Sequence, residues 1–273
     1  MSTQRGPPGP IARVPRSKAA AREWYSALSR WYDAVADPFE APARTAGLEL
    51  LDAAPGERVL DVGAGTGTAL VSIARAVGPD GTAVGIDLAD GMCRASRRAL
   101  AAAGLDRGVV VTGDATTMPF ADDAFDALFA SFVLELFDTP EIPAVLAEWR
   151  RVLDPAGRLC VVSLSRRGAG PVTWLYERVH DLAPTYVDCR PIYVRDTLRE
   201  AGFRIVDARD ESVSRVPVEV VLCRPASDRD DERERSVTRT PRPRASVSGR
   251  GTPDQRDRQR RSARDPLRHR SRE

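Results

Sequence analysis

The groups in this chain that could hold a ligand are three closely spaced glycines and a set of carboxylates at the ends of apolar runs. Val59-Leu60-Asp61-Val62-Gly63-Ala64-Gly65-Thr66-Gly67-Thr68 passes from an apolar run through an aspartate into alternating glycines. Such a stretch leaves a buried parallel strand, turns sharply and enters a helix, whose first N–H groups are expected to face open space. Glycines at 63, 65 and 67 permit backbone angles and a close ligand approach that a Cβ would obstruct. The loop is therefore a bed for a nucleotide-like ligand. Its spacing excludes the dinucleotide fingerprint G-x-G-x-x-G, because Thr68 stands where that pattern needs glycine. Asp87 closes the next apolar run, 24 residues after Gly63. A carboxylate there can accept both hydroxyls of a ribose; aspartate is also a good helix N-cap, but after a glycine loop the ligand reading takes precedence. Asp114-Ala115 follows the third run in the same way.

The pattern D-x-G-x-G-x-G from Asp61 to Gly67 resembles motif I of the class I S-adenosylmethionine (SAM) methyltransferases. The run from Gly113-Asp114-Ala115 through Met118-Pro119-Phe120 to Phe125-Asp126 resembles motif II of the same family. With Asp87 between them, the resemblance spans about residues 20–225. It implies an α/β fold, a doubly wound, seven-stranded, mostly parallel Rossmann-like sheet whose last strand is antiparallel. It also implies SAM as cofactor, held by Asp61, Gly63, Ala64, Gly65, Thr66, Gly67, Asp87, Leu88, Met92, Asp114, Ala115 and Ser131, with Tyr32 near the cofactor carboxylate. In that family the glycine loop lies under the methionine and ribose, and the acid at Asp61 helps to hold the amino-acid end. Asp114 would contact the adenine amino group, and the small Ala115 would let the ring lie flat. Met92 either covers the adenine face or is plain core. Asp126 belongs to the start of its strand rather than to the site. The chain most resembles the branch that includes the ubiquinone/menaquinone C-methyltransferases and many small-molecule and lipid methyltransferases. The quinone enzymes carry an F-G-x-R-N-like segment after the fourth strand. Here Ser131-Phe132-Val133-Leu134-Glu135-Leu136 lacks both polar residues, which counts against a quinone acceptor.

Methyl transfer from a sulfonium is a direct displacement, so alignment of nucleophile, methyl and sulfur supplies much of the acceleration. A base is needed only when the nucleophile must lose a proton in step. Glu135 is the candidate base; it reads equally as a solvated residue at a helix start. The two histidines, His180 and His269, offer no histidine-based catalysis and no zinc site, and no metal is expected. An apolar or aromatic acceptor would suit a pocket mouth built from Trp24, Tyr25, Trp31, Tyr32, Phe132 and Phe137.

The elements that must position these groups follow from periodicity. Trp24, Leu28, Trp31 and Val35 share one helical stripe, predicting a helix over about Ser17 to Ala36. That helix either packs on the domain or forms a lid over the pocket. Asp37-Pro38 is expected to end it, and a second helix over about Ala43 to Ala53 leads to the first strand. Strands then alternate with helices: Thr82 to Asp87, Val109 to Thr112, Phe125 to Ala130 and Arg158 to Leu164, the last after a turn at Asp154-Pro155-Ala156-Gly157. Right-handed crossovers follow, with helices on both faces. Later segments predict helices at Pro171 to Leu182 and Val194 to Ala201, then strands at Phe203 to Asp210 and Val218 to Leu222.

Composition divides the chain. Residues 227–273 hold fifteen Arg against nine Asp or Glu, a net of +6, whereas residues 1–226 hold 26 Lys or Arg against 30 Asp or Glu, a net of −4. The overall basic balance belongs to the tail, so it does not imply nucleic-acid binding by the folded part. Three spans are expected: a disordered start at 1–16, a methyltransferase domain with a helical lid at 17–226, and a disordered Arg-rich tail at 227–273. The start lacks the apolar core of a signal peptide, and no run approaches the ~18 apolar residues of a membrane span. The four cysteines, with no C-x-x-C, read as buried thiols in a reducing cytoplasm. The reading favoured is a cytoplasmic SAM-dependent methyltransferase acting on a small-molecule or lipid-like acceptor. A nicotinamide oxidoreductase, a nucleic-acid methyltransferase using the tail and a non-catalytic SAM-binding module are the alternatives; oligomeric state is left open.

Overall fold

The computed structural model describes residues 17–29, 37–167 and 190–226. All of them lie in one compact unit, Met1–Glu232; the second unit, Arg233–Glu273, lies outside the described residues. So do the predicted helix at Pro171 to Leu182, the segment with Trp31 and Tyr32, and both spans expected to be disordered.

Helices α1 (Lys18–Leu28) and α2 (Asp37–Leu51) come first, followed by β1 (Arg58–Val62), α3 (Thr68–Val77), β2 (Thr82–Asp87), α4 (Asp90–Ala102), β3 (Val109–Thr112) and β4 (Phe125–Ser131). A short 3-10 turn at Leu134–Leu136 leads to α5 (Ile142–Val152), β5 (Leu153–Leu164), α6 (Val194–Glu200), β6 (Phe203–Val213) and β7 (Val216–Pro225). The strands form one seven-stranded sheet in the order β3-β2-β1-β4-β5-β7-β6. The five on the β3 side run parallel, and β7 runs antiparallel to both β5 and β6. Strand order reverses between β1 and β4, which leaves a crevice beyond their carboxyl ends.

The period-2 alternation of each strand feeds two cores. Leu60, Val62, Leu128 and Val161 pack under α5 and α6 with Trp149, Leu146 and Leu198. Val59, Phe129 and Val162 pack under α2 and α3 with Leu51, Leu70 and Ile73. Asp61 follows Val59 on the second face and pairs in register with Phe129, so the strand pattern itself buries a carboxylate.

Several boundaries differ from those expected. The second helix begins at Asp37, not near Ala43, and carries Pro42 as its sixth residue, where the ring removes one i→i−4 hydrogen bond that the helix tolerates. Asp37-Pro38 thus starts a helix; the first helix ends at Leu28, and residues 30–36 lie outside the described residues. Strand β5 begins at Leu153, because the Asp154 to Gly157 turn is taken up as a register shift opposite Phe125 and Ala127; Asp154 accepts from Ala156 N–H at 2.8 Å. Strands β6 and β7 extend to a two-residue hairpin in which Ser214 and Arg215 both have positive φ, 49° and 69°. Such turns usually advertise themselves by Asn-Gly, and Ser-Arg does not.

Candidate active site

Beyond the carboxyl ends of β1 to β4 lies an open cleft of about 1170 Å³, part of it continuous with solvent. Its floor is the glycine loop and the residues that follow β2, β3 and β4; α1 crosses it as a further wall.

The glycine loop is tied down by its own amides. Gly63 and Ala64 N–H both donate to the Ile86 carbonyl at 2.8 and 3.1 Å, and Gly67 N–H donates to Ala64 at 2.9 Å. Gly65 N–H donates to Asp87 Oδ2 at 2.9 Å. The three glycines serve different ends. A Cβ on Gly63 would meet the Val133 side chain at 2.6 Å and one on Gly67 would meet Ser96 Cα at 2.8 Å, so those positions serve packing. Gly65, at φ +54°, has only the Gly63 carbonyl near its missing Cβ, at 3.9 Å. Its bare face opens into the cleft.

Asp87 ends β2 with its carboxylate in the cleft. It accepts from Gly65 N–H and, at 2.8 Å, from Ala89 N–H. Burial raises its carboxyl above the ordinary range, with those two hydrogen bonds opposing. The helix-cap and ligand readings are thus compatible, since the same group closes the turn and faces the cavity. Leu88, Met92, Asp114, Ala115 and Ser131 share the lining; Met92 is also buried, so it is core and wall at once. Ser131 Oγ is a buried hydroxyl that meets no protein partner. Asp114 accepts from Thr116 N–H and Oγ1 on one oxygen, at 2.9 and 2.8 Å, and from Lys18 Nζ at 2.7 Å on the other. Burial raises its carboxyl, but the hydrogen bonds from Lys18 and Thr116 outweigh burial and hold it below the usual range.

Four of the expected residues lie beneath the lining rather than on it. Ala64 and Thr66 are buried and Gly67 packs on α4. Asp61 is 2% exposed, with its carboxyl pushed up to about 8, first by burial and then by the charge on Asp87, against Arg44 and the Leu70 amide. The Leu70 N–H in the first turn of α3 is therefore used by Asp61 rather than offered to open space, and Asp61 Oδ2 has no partner. Tyr32 lies outside the described residues.

Glu135 is not the solvated helix-start residue that one reading of the sequence allows. It is fully buried behind the lining, on the α2 side. Its Oε1 accepts from Leu164 N–H at 3.2 Å, Oε2 has no partner, and burial lifts its carboxyl to about 7 with Glu40 adding to the rise. The alternation Leu134-Glu135-Leu136 fits a solvated glutamate equally well, so only the packing against β5 reveals the burial. It does not face the cleft as a base would.

Beyond β4 the cleft is lined by Phe132, Val133, Leu136 and Phe137, and α1 adds Tyr25. Phe132 holds a left-handed backbone, φ 55°, with its N–H on the Val162 carbonyl at 2.8 Å. A bulky residue in that region is strained, and such strain gathers at working surfaces. Trp24 is half-buried on α1 but does not join this lining.

Sequence reasoning missed the residues that brace the site from afar. Trp149 Nε1 donates to the Ala115 carbonyl at 3.1 Å. Glu148 accepts from Met118 N–H at 2.6 Å, and Arg151 bonds Glu148, Asp122 and the Phe120 carbonyl. Helix α5 thus clamps the whole loop after β3. Arg190, 1% exposed, donates to Thr139 Oγ1 at 2.9 Å and to the Phe137 carbonyl. No local sequence signal marks these contacts, which join residues far apart in the chain. Among the described residues no cluster of His, Cys, Asp or Glu could hold a metal ion, and no helix is long and apolar enough to cross a membrane.

The family described as "Methyltransferase domain" matches residues 59–157, which carry the glycine loop, Asp87 and the clamped loop after β3. Nocamycin O-methyltransferase of Saccharothrix syringae is 35% identical over 199 residues, covering 66% of this chain and 70% of that one. Ubiquinone/menaquinone biosynthesis C-methyltransferase UbiE of Paracoccus denitrificans is 38% identical over 160 residues, 56% of this chain and 62% of that relative, less than two thirds of its length. Among solved structures, the [4+2]-cyclase SpnF superposes with a TM-score of 0.62 at 22% identity, covering 80% of this chain and 99% of that one. That likeness speaks for the fold alone. Taken with the sheet order and the glycine-loop cleft, the sequence likeness to these methyltransferases places the chain in the class I SAM-dependent methyltransferase family.

Proposed function

We propose that the chain transfers a methyl group from SAM to a small-molecule or lipid-like acceptor with an apolar or aromatic body. The observation that carries this is Gly65: its bare face opens into the cleft while its N–H holds the Asp87 carboxylate, so loop and carboxylate form one ligand surface. That cradle, which a Cβ would fill, fits a cofactor lying on the backbone. In this reading Asp87 accepts from the ribose hydroxyls, and Asp114, Ala115, Leu88 and Met92 hold the adenine. Gly63, Gly65 and Ser131 line the methionine portion, and Ala64, Thr66 and Gly67 shape the loop from beneath. Asp61 remains in the proposed set as the residue that braces the loop beneath the amino-acid end through the Leu70 N–H, and Tyr32 remains part of it as well.

When bound, SAM supplies an electrophilic methyl on a sulfonium. Phe132, Val133, Leu136, Phe137 and Tyr25 would exclude water and hold the acceptor in line, which is where orientation contributes most. Glu135, behind these walls, would act on the acceptor only through an intervening group. The names of the two relatives span an oxygen and a carbon acceptor atom, so the acceptor atom is not part of the proposal. Because a cyclase shares the fold, fold alone does not assign the reaction. Residues 17–226 are proposed as the whole catalytic unit, working in the cytoplasm, where the buried free thiols Cys93, Cys160 and Cys223 would stay reduced. Calorimetric titration with SAM and with NAD tests the cofactor, and screening extracted metabolites for SAM-dependent gain of one methyl group tests the reaction. Binding of NAD instead of SAM, or SAM binding without methyl turnover on any acceptor, would overturn the proposal.

A further inference from the structure

We propose that α1 is an ion-latched lid whose release sets how fast ligands enter and leave the cleft. This rests on the reading that the cleft holds the cofactor. Helix α1 contributes Lys18, Arg22 and Tyr25 to the cleft wall, yet none of its residues is fully buried. Helix α5, by contrast, locks to the sheet through five fully buried apolar side chains, among them Trp149. What holds α1 is polar. Lys18 Nζ bonds Asp114 Oδ2 at 2.7 Å and Thr116 Oγ1 at 2.8 Å, and Arg22 bonds Asp90 Oδ2 at 2.6 Å. A third contact is steric as well as polar. Gly91 N–H donates to Ser26 Oγ at 3.2 Å, and a Cβ on Gly91 would lie 2.5 Å from the Ser26 carbonyl oxygen. Only a glycine at 91 lets the two helices approach so closely.

These contacts sit at the ends of β2 and β3, on or beside residues that line the cleft. The four ion-pair side chains are 28% to 51% exposed, so salt reaches and weakens them. Ligand passage on this side requires α1 to lift, and among the described residues lifting breaks two screened ion pairs and one hydrogen bond, besides the contacts of the half-buried Trp24 and Tyr25, rather than a fully buried core. The lid should therefore open readily, and opening should be faster in salt.

The test uses the full chain and S-adenosylhomocysteine, with its release followed after a chase of excess SAM. Raising salt from about 0.05 to about 0.5 M should speed release several-fold in the unmodified protein. The double variant Lys18→Met/Arg22→Met should release about tenfold faster, ~1.4 kcal/mol, and lose most of that salt dependence. Gly91→Val should speed release by the steric route. Hydrogen exchange of residues 18–28 in the ligand-free protein should accelerate in both variants. Unchanged release and unchanged exchange in the double variant would overturn the latch. Absence of any S-adenosylhomocysteine binding by the unmodified protein would count against the functional reading instead, while the exchange measurement would still decide the latch.

Discussion

Replacing Asp61 by asparagine is expected to make the protein more stable at neutral pH. Asp61 is held in the folded chain at about 8, against an ordinary value of 3.8, so folding takes up a proton between those values. With the folded value raised, the stabilisation is fully present below pH ~4 and is lost by ~1.36 kcal/mol per pH unit until pH ~8. At pH 7 the accumulated loss has an upper bound of roughly 4 kcal/mol. Asparagine copies the shape of the protonated acid, does not titrate, and keeps an oxygen for the Leu70 N–H. Its amide N–H enters a place where Asp61 Oδ2 has no partner, and that, with local relaxation, takes back part of the gain. The expected net is about 1–3 kcal/mol at pH 7, crossing zero between about pH 5 and pH 6 and turning into a destabilisation of about 1–3 kcal/mol near pH 4, where only the cost of the amide remains. Urea unfolding at several pH values between 4 and 8 measures it. A variant no more stable than the parent at pH 8, with the parent's pH slope intact, would refute the reasoning.

Two further outcomes are expected. Asp87→Asn should weaken SAM binding by about 1.5–3 kcal/mol, the scale for hydrogen bonds to a charged group; because Asp87 also accepts from Gly65 and Ala89, calorimetry should be paired with a melting curve, and unchanged affinity would remove Asp87 from the site. A chain truncated after Ala226 should fold, bind SAM with the same affinity and keep its methyl-transfer rate; lost activity, or salt-sensitive RNA binding that disappears with the tail, would assign residues 227–273 a function.

The parts of the site legible in the sequence are those whose chemistry is local. Alternating glycines, an aspartate at the end of β2 and Asp114-Ala115 after β3 can be read without knowing what packs where. Alternating strand and helix patterns with right-handed crossovers give the parallel sheet with helices on both faces, whereas the seventh, antiparallel strand came from the resemblance to the methyltransferases. What escaped depends on distance or on packing. Lys18 reaches Asp114 across 96 residues, and Trp149 braces Ala115 across 34, with no pattern to announce either. Glu135 and Asp61 look like ordinary polar residues until the strands around them bury their carboxyls. The Ser214-Arg215 hairpin hid because its residues are unusual for two consecutive positive φ angles. Likewise, the Asp154 to Gly157 turn concealed a strand that simply runs through it with a shifted register.

The claim on which the rest depends is that the cleft over the glycine loop is where SAM binds. Calorimetric titration of SAM into the unmodified chain and into Gly65→Val tests it most directly, because the added side chain enters open cleft space rather than protein; since valine at φ +54° also strains the loop, Gly65→Asn, which tolerates that φ, is titrated beside it. The account predicts SAM binding by the parent and none by either variant, with each variant's fold intact by circular dichroism. A folded Gly65→Val chain that binds SAM as tightly as its parent would contradict it.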